Sequence, residues 1–397
     1  MSTFNDLGVS SRVSEALAAR DIHTPFKVQK LVMKDALEGR DVLAKSQTGS
    51  GKTLAFGVPI VEKLDPNGQK PKALVLVPTR ELATQVTDEI ADIAKVQHLR
   101  IAAVYGGVSI PDQARRAAKA HILVATPGRL QDLLDRRLLS LKGVEILVLD
   151  EADRMLDMGF RPQVDSIVRH IRKDRQTMFF SATLDGAVGY LARAYTHDAQ
   201  LHEVESKSQT VEESEHKFVP VTNENKVAKL TELLREEGGT TLVFVRTKRG
   251  ADRLAYRLRK AGIGAVPMHA DLTQGARRKA LEQLRSGKSD VLVATDVAAR
   301  GLDLDNIDHV VNFDPPHDVK DYLHRVGRTA RAGRSGTGTT LVLPMQQADV
   351  SRMAAELKLH SQFQEHGMTI SAPRTLFSSS KGRKSRSMMR PRAKRRI

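Results

Sequence analysis

Short runs of β-branched residues and leucine recur along this chain, separated by stretches with helical spacing. In the first half the runs are DVLAKS (41–46), KALVLVP (72–78), RIAAVY (100–105), HILVATP (121–127), VEILVLD (144–150) and TMFFSAT (177–183). Most are apolar throughout rather than alternating, the pattern of strands covered on both faces. Between them, segments such as RELATQVTDEIADIAKV (80–96) repeat apolar residues at helical intervals. The stretch EVESKSQTVEESEH (203–216) is polar and lacks an apolar stripe, which predicts a linker or sheet margin. The rhythm resumes with TLVFVRT (241–247), AVPMHA (265–270), DVLVATD (290–296), HVVNFD (309–314) and TTLVLPM (339–345), and a helix is predicted near 347–358. Strands alternating with helices specify an α/β fold with parallel sheets. The predicted division is a first domain over 1–205, a linker over 206–216, a second domain over 217–360 and a flexible basic tail over 361–397.

At 397 residues the chain exceeds one ordinary core, in keeping with two tandem domains. It has no cysteine, which removes disulfide frameworks and cysteine-based zinc sites. No apolar run reaches the ~18 residues of a membrane span. The opening MSTFNDLGVSS has neither the basic start nor the apolar stretch of a signal peptide, so a cytoplasmic, membrane-free protein is expected. The net charge is +16, and nine of those charges lie in KGRKSRSMMRPRAKRRI (381–397), which contains no acid. A tail that dense is expected to bind a polyanion.

Candidate chemistry begins at SQTGSGKT (46–53), set between a strand and a helical run. Strand, Gly-rich loop, Lys-Thr and helix is the context of a phosphate-binding loop. Gly49 and Gly51 let backbone N–H groups turn toward phosphates, Lys52 reaches the β/γ-phosphates and the Thr53 hydroxyl suits Mg²⁺. Small Ser46 stands where the loop's first glycine usually is. A nucleotidase of this type also needs a carboxylate at the end of a neighbouring strand. Asp150, directly after ILVL, is the candidate for holding Mg²⁺, and Glu151 for orienting and deprotonating the attacking water. In HRVGRTARAG (324–333), Arg325, Arg328 and Arg331 lie three apart, which predicts one helical face suited to phosphate oxygens.

From DEAD (150–153) onward the pattern is specific. The chain resembles the DEAD-box ATP-dependent RNA helicases of helicase superfamily 2. The motifs that carry the resemblance are SQTGSGKT, PTRELA (78–83), Gly106-Gly107, TPGR (126–129), DEAD, SAT (181–183), VFVRTK (243–248), QGAR (274–277), ATDVAARGLD (294–303) and HRVGRTARAG. The resemblance implies two RecA-like domains, ATP and Mg²⁺ as cofactors, and RNA bound through its backbone, single-stranded or in short duplexes. It implies a monomer that hydrolyses ATP when the domains close and separates a few base pairs without processivity.

Residue by residue, the resemblance carries nucleotide contacts onto Gln47, Thr48, Gly49, Ser50, Gly51, Lys52, Thr53, Gly301 and Asp303, the last on the ribose. Arg328 is implied at the γ-phosphate and Arg331 as the finger that stabilises the transition state. Asp153, Ser181, Thr183 and His324 are implied to couple nucleotide to RNA. Arg80, Gly106, Gly107, Thr126, Gly128 and Arg129 are implied RNA contacts in the first domain, and Arg246, Thr247, Gln274, Arg277 and Thr295 in the second.

One segment departs from the family. DIHTPFKVQ (21–29) keeps Pro25 and the adenine-reading Gln29, and Phe4 fits the isolated upstream aromatic. Ile22, however, stands where the family has an aromatic, Phe26 where it has Thr, and Lys27 where it has Pro. A raised ATP KM or tolerance of other nucleoside triphosphates is the expected consequence. Two other classes share parts of this pattern: a superfamily 2 DNA translocase, and an RNA clamp with a dead site. DEAD, SAT and the compact chain count against the first, and the presence of every catalytic residue against the second.

Overall fold

The structure is a computed structural model that describes residues 3–46, 50–204, 214–299, 307–329 and 336–369. Two all-parallel sheets form two lobes. The first contains β1 (Val42–Lys45), β2 (Ala73–Leu76), β3 (Ile101–Val104), β4 (Ile122–Ala125), β5 (Ile146–Leu149), β6 (Gln176–Ser181) and β7 (Gln200–Glu203), in the order β3-β4-β2-β5-β6-β1-β7. The second contains β8 (Ser214–Pro220), β9 (Thr241–Phe244), β10 (Ala265–Met268), β11 (Val291–Ala294), β12 (His309–Asn312) and β13 (Gly336–Val342), in the order β10-β11-β9-β12-β13-β8.

Central strands β2, β4, β5 and β6 are buried at every position, because helices cover both faces of the sheet. One face packs Val42, Val75, Val148 and Phe180 against the helices Lys27–Glu38, Lys52–Lys63 and Arg80–Val96. The other packs Leu74, Leu123, Leu147 and Phe179 against Leu130, Met155 and Leu191. All eleven apolar runs contain a strand. The expected helix over 80–96 runs Arg80–Val96, with the Thr79 hydroxyl accepting from Leu82 N–H as its cap.

Three features differ from expectation. The polar margin at 203–216 hides parts of two edge strands, β7 and β8, whose residues alternate in burial because one face is solvated. The folded chain also continues past 360: helix His360–Gln364 buries Phe363 edge-on against Phe218 of β8, with ring centroids 5.3 Å apart. Finally, the helix bearing Arg325 spans Val319–Val326 and stops at Gly327, so Arg328 lies in the turn beyond it. Arg325 and Arg328 therefore do not share one helical face, and Arg331, the third of the expected set, lies outside the described residues.

Candidate active site between the lobes

In parallel sheets the loops at the carboxyl ends of the strands face a common crevice, and the chemistry gathers there. Strand β6 lies between β1 and β5, so the loop after β1, the DEAD turn after β5 and the SAT turn after β6 become neighbours. The Ser46 N–H donates to the Ser181 carbonyl (2.9 Å), joining the first loop to SAT directly. Gly51 caps the helix Lys52–Lys63 at φ +86°, and Lys52 and Thr53 begin its first turn. Lys52 is buried and its ammonium donates to the Ser46 carbonyl (3.3 Å). Ser46 Oγ is buried without a partner. Gln47, Thr48 and Gly49 lie outside the described residues, as do Gly301, Asp303, Arg331 and the tail from 370. Ser50 lies beside Gly51 and makes polar contacts of its own.

Asp150, Glu151 and Asp153 are each under 5% exposed. Glu151 takes a left-handed backbone conformation (φ 52°, ψ 49°) at the start of helix Ala152–Asp157, a strained state that persists where the surroundings enforce it. Burial pushes Asp150 up to about 6; Lys52 opposes the rise, and the Glu151 carboxylate adds to it. Burial would also raise Glu151, but the guanidinium of Arg154, then Lys52 and Arg328, outweigh it and hold that carboxyl below its ordinary range. Arg154 Nη1 donates to Glu151 Oε2 at 2.5 Å, with both side chains about 5% exposed. Asp153 Oδ1 accepts from Arg154 N–H (3.0 Å), and Ser181 Oγ from Thr183 N–H (3.3 Å).

A buried, under-compensated carboxylate, a half-buried Thr53 and an unpartnered Ser46 hydroxyl form a hard oxygen donor set that fits Mg²⁺. Among the described residues no group of three acidic or histidine side chains could hold a metal unaided.

The second lobe supplies cations. Arg328 is 4% exposed, and its charge helps hold the Glu151 carboxyl low from the opposite lobe. Arg325 is different: it bonds Asp296 through two nitrogens (2.6 and 2.8 Å), Asn312 Oδ1 (3.0 Å) and the Asp314 carbonyl (2.7 Å). It braces the lobe, with four of its five N–H donors committed inside it. His324 is half-buried on the same helix.

Near the adenine motif, Gln29 is fully buried. Its Oε1 accepts from Phe26 N–H and its Nε2 donates to the Gly51 carbonyl, both at 2.8 Å. Phe26 lies against Gly51 and stays 59% exposed. Phe4, expected among the nucleotide contacts, is 2% exposed. Its ring packs into the core with Val9 and Val13, because the turn Asn5–Leu7 folds it inward, and no face is left for a base.

Along the lobe interface a cleft of about 420 Å³ is lined by Arg80, Gly106, Thr126, Gly128 and Arg129 from the first lobe and Arg277 from the second. Gly106 and Gly107 lie against the Arg80 guanidinium, and Gly107 has φ +87°, so a side chain there would be strained and would displace the arginine. Arg129 donates to the Val108 carbonyl (3.1 Å) and Gln113 Oε1 (3.0 Å). Arg277 also donates to Glu81 Oε1 across the interface (2.6 Å), with both side chains about 10% exposed. Glu81 was not singled out in the sequence, since only the fold brings it to Arg277. The remaining expected RNA contacts in the second lobe, Arg246, Thr247, Gln274 and Thr295, do not line this cleft. A second cross-lobe pair, Lys320 to Asp157 at 3.1 Å, is exposed.

The DEAD/DEAH box helicase family matches residues 26–189, and the helicase conserved C-terminal domain family matches residues 225–333. The DEAD-box ATP-dependent RNA helicase CshA of Geobacillus kaustophilus is 41% identical over 348 residues, 87% of this chain and 74% of that protein. The structure of Saccharomyces cerevisiae Dbp5 bound to RNA and ADP BeF3 superposes with a TM-score of 0.81 at 29% identity, covering 93% of this chain and 94% of that one. A DEAD box protein from Methanococcus jannaschii is closer in sequence, at 34% identity, yet reaches only 0.51 while covering 90% of this chain and 97% of its own. Placement of the lobes therefore matches the RNA-bound and nucleotide-bound relative. The chain belongs to the DEAD-box ATP-dependent RNA helicases.

Proposed function

We propose that this chain couples RNA-stimulated ATP hydrolysis to local, non-processive unwinding of RNA duplexes or remodelling of RNA–protein complexes, with hydrolysis confined to the closed arrangement of the lobes. The observation that supports this most is the closed seam itself, where Arg277 of the second lobe donates to Glu81 of the first at 2.6 Å and Arg328 is buried. The N-terminus of helix Lys52–Lys63 and the Lys52 ammonium receive the β/γ-phosphates. Glu151, kept ionised by Arg154, orients water toward the γ-phosphorus. Arg328, with Arg331 as the finger, neutralises charge that develops on the transferred group. Asp150 and Thr53 would hold Mg²⁺, whose chemistry is charge neutralisation between the phosphates. Both banks come from one chain, which supports a monomer. Among the described residues no helix is long and apolar enough to cross a membrane.

RNA enters the cleft between the lobes, where Arg80, Arg129 and backbone N–H groups suit phosphate and ribose rather than base edges. Asp153, Ser181, Thr183 and His324 link that cleft to the nucleotide. The altered adenine motif leaves Gln29 bonded to Phe26 and Gly51, with exposed Phe26 as the flat surface at the nucleotide end. Selectivity for ATP over other triphosphates is accordingly relaxed. The test is phosphate release with and without RNA: RNA stimulates the native chain, and Glu151→Gln abolishes turnover while nucleotide still binds. Turnover preserved in Glu151→Gln would remove the assigned role.

A further inference from the structure

The helix Lys248–Lys260, KRGADRLAYRLRK, carries six Lys or Arg residues and one acid. Its inner face, Ala251, Leu254, Ala255 and Leu258, is buried against the second sheet. The outer face presents Arg249, Arg253, Tyr256 and Lys260 at successive turns, all exposed. A merely solvated face usually mixes signs, as the adjoining helix Lys226–Glu237 does with its Lys229–Glu232 pair. Here, among the described residues, none of Arg249, Arg253, Arg257 and Lys260 lies within 4.0 Å of a carboxylate. Arg253 Nε donates to the Arg249 carbonyl (3.3 Å), which keeps its guanidinium on the outer face. Tyr256, 53% exposed, carries the Lys260 ammonium 5.0 Å from its ring centroid. An aromatic ring among uncompensated cations provides both binding modes of a nucleic-acid strand, phosphate to cation and base to ring.

The position of the helix matters as much as its charge. Thr247, among the residues expected to touch RNA, caps its N-terminus by accepting from Gly250 N–H (3.0 Å). Lys248 pairs with Asp271 (2.6 Å) and Asp252 with His269 (3.0 Å). These pairs tie the first two turns to the segment whose Ala270 lines the cleft between the lobes. The basic face therefore starts at the mouth of the cleft and leads away from it for about 20 Å. That is roughly six phosphates at the axial spacing of a stacked strand.

We propose that the outer face of helix Lys248–Lys260 is a second RNA-binding surface that takes the strand where it leaves the cleft. This rests on the RNA-helicase reading, and its failure is distinguishable from a failure of that reading. The experiment compares the full chain with an Arg249→Gln/Arg253→Gln/Lys260→Gln variant and with Tyr256→Ala. Each is titrated with a labelled oligouridylate short enough to stay in the cleft and with one long enough to run the extra ~20 Å. With the long strand, the triple variant loses about tenfold in affinity, and its salt dependence flattens by about 2 in log–log slope. Tyr256→Ala loses severalfold with little change in slope. Binding of the short strand, and the ATP hydrolysis it stimulates, stay at the native level in both variants. Equal losses on both strands would reduce the face to a diffuse field, and unchanged binding of the long strand would leave it to a partner other than RNA; either result overturns the proposal. Short-strand stimulation absent from the native chain would instead refute the helicase reading itself.

Discussion

The two lobes share an all-parallel architecture and put opposite charge at the interface. The first presents three buried carboxylates and one lysine at the ends of β1 and β5; the second presents Arg328 and Arg277. Neither bank is at rest alone. Asp150 is pushed up to about 6 by burial, with Lys52 only partly opposing it, and Arg328 on the other lobe adds to the Arg154 and Lys52 charges that hold the Glu151 carboxyl low. On the proposed mechanism a site divided this way ties chemistry to lobe closure, because separation takes the Arg328 charge away from Glu151.

The contrast is sharpest between Arg325 and Arg328, three residues apart. Arg328→Ala should lower kcat by about 10³-fold, the low end for a transition-state arginine, with a smaller change in nucleotide KM. Arg325→Ala should act on stability instead: it strands Asp296 and Asn312 in a buried network and lowers the unfolding free energy by about 3–5 kcal/mol, read from a denaturant titration. A kcat defect in Arg325→Ala without loss of stability would erase the distinction.

Next in size is a pH effect confined to the second lobe. Buried His309, whose Nε2 meets Thr339 Oγ1 at 2.9 Å, is lowered by desolvation from 6.5 to about 4. The unfolded chain binds the extra proton first, so stability from this residue is complete above pH 6.5 and is lost as pH falls toward 4. The loss reaches about 3 kcal/mol, and His309→Gln should flatten the unfolding midpoint over that range.

Glu81→Gln probes the cross-lobe pair. It should weaken RNA activation of ATP hydrolysis by about tenfold, roughly the loss of one charge-assisted hydrogen bond, and leave basal hydrolysis unchanged. Smallest is Phe26→Ala, expected to raise KM severalfold for ATP and GTP alike; a loss confined to ATP would show that the ring reads adenine specifically.

What could be read from the sequence was what is local. The loop SQTGSGKT, the DEAD turn and the fully apolar strands each declare themselves within a few residues, since their chemistry depends on neighbours in the chain. What escaped depends on distant residues or on one breaking residue. Glu81 and Arg277 are 196 positions apart and meet only through the fold. Arg325 and Arg328 keep helical spacing in sequence, yet Gly327 ends the helix between them. Phe4 has the right type and a plausible place but turns inward. β7 and β8 are polar because edge strands are half solvated, and apolar runs do not mark them. Arg154 was within view, three residues beyond Glu151, but nothing in its spacing distinguishes a buried clamp from a surface residue.

On the proposed mechanism the catalytic site is complete only when the lobes meet. The chain has no cysteine, so Asp157→Cys/Lys320→Cys would supply its only two thiols, at the exposed cross-lobe pair. A short thiol-specific crosslinker should join them rapidly with ADP·BeF3 and RNA both present, and slowly with either alone. A crosslinking rate indifferent to those ligands, in a variant that still hydrolyses ATP in response to RNA, would contradict the account.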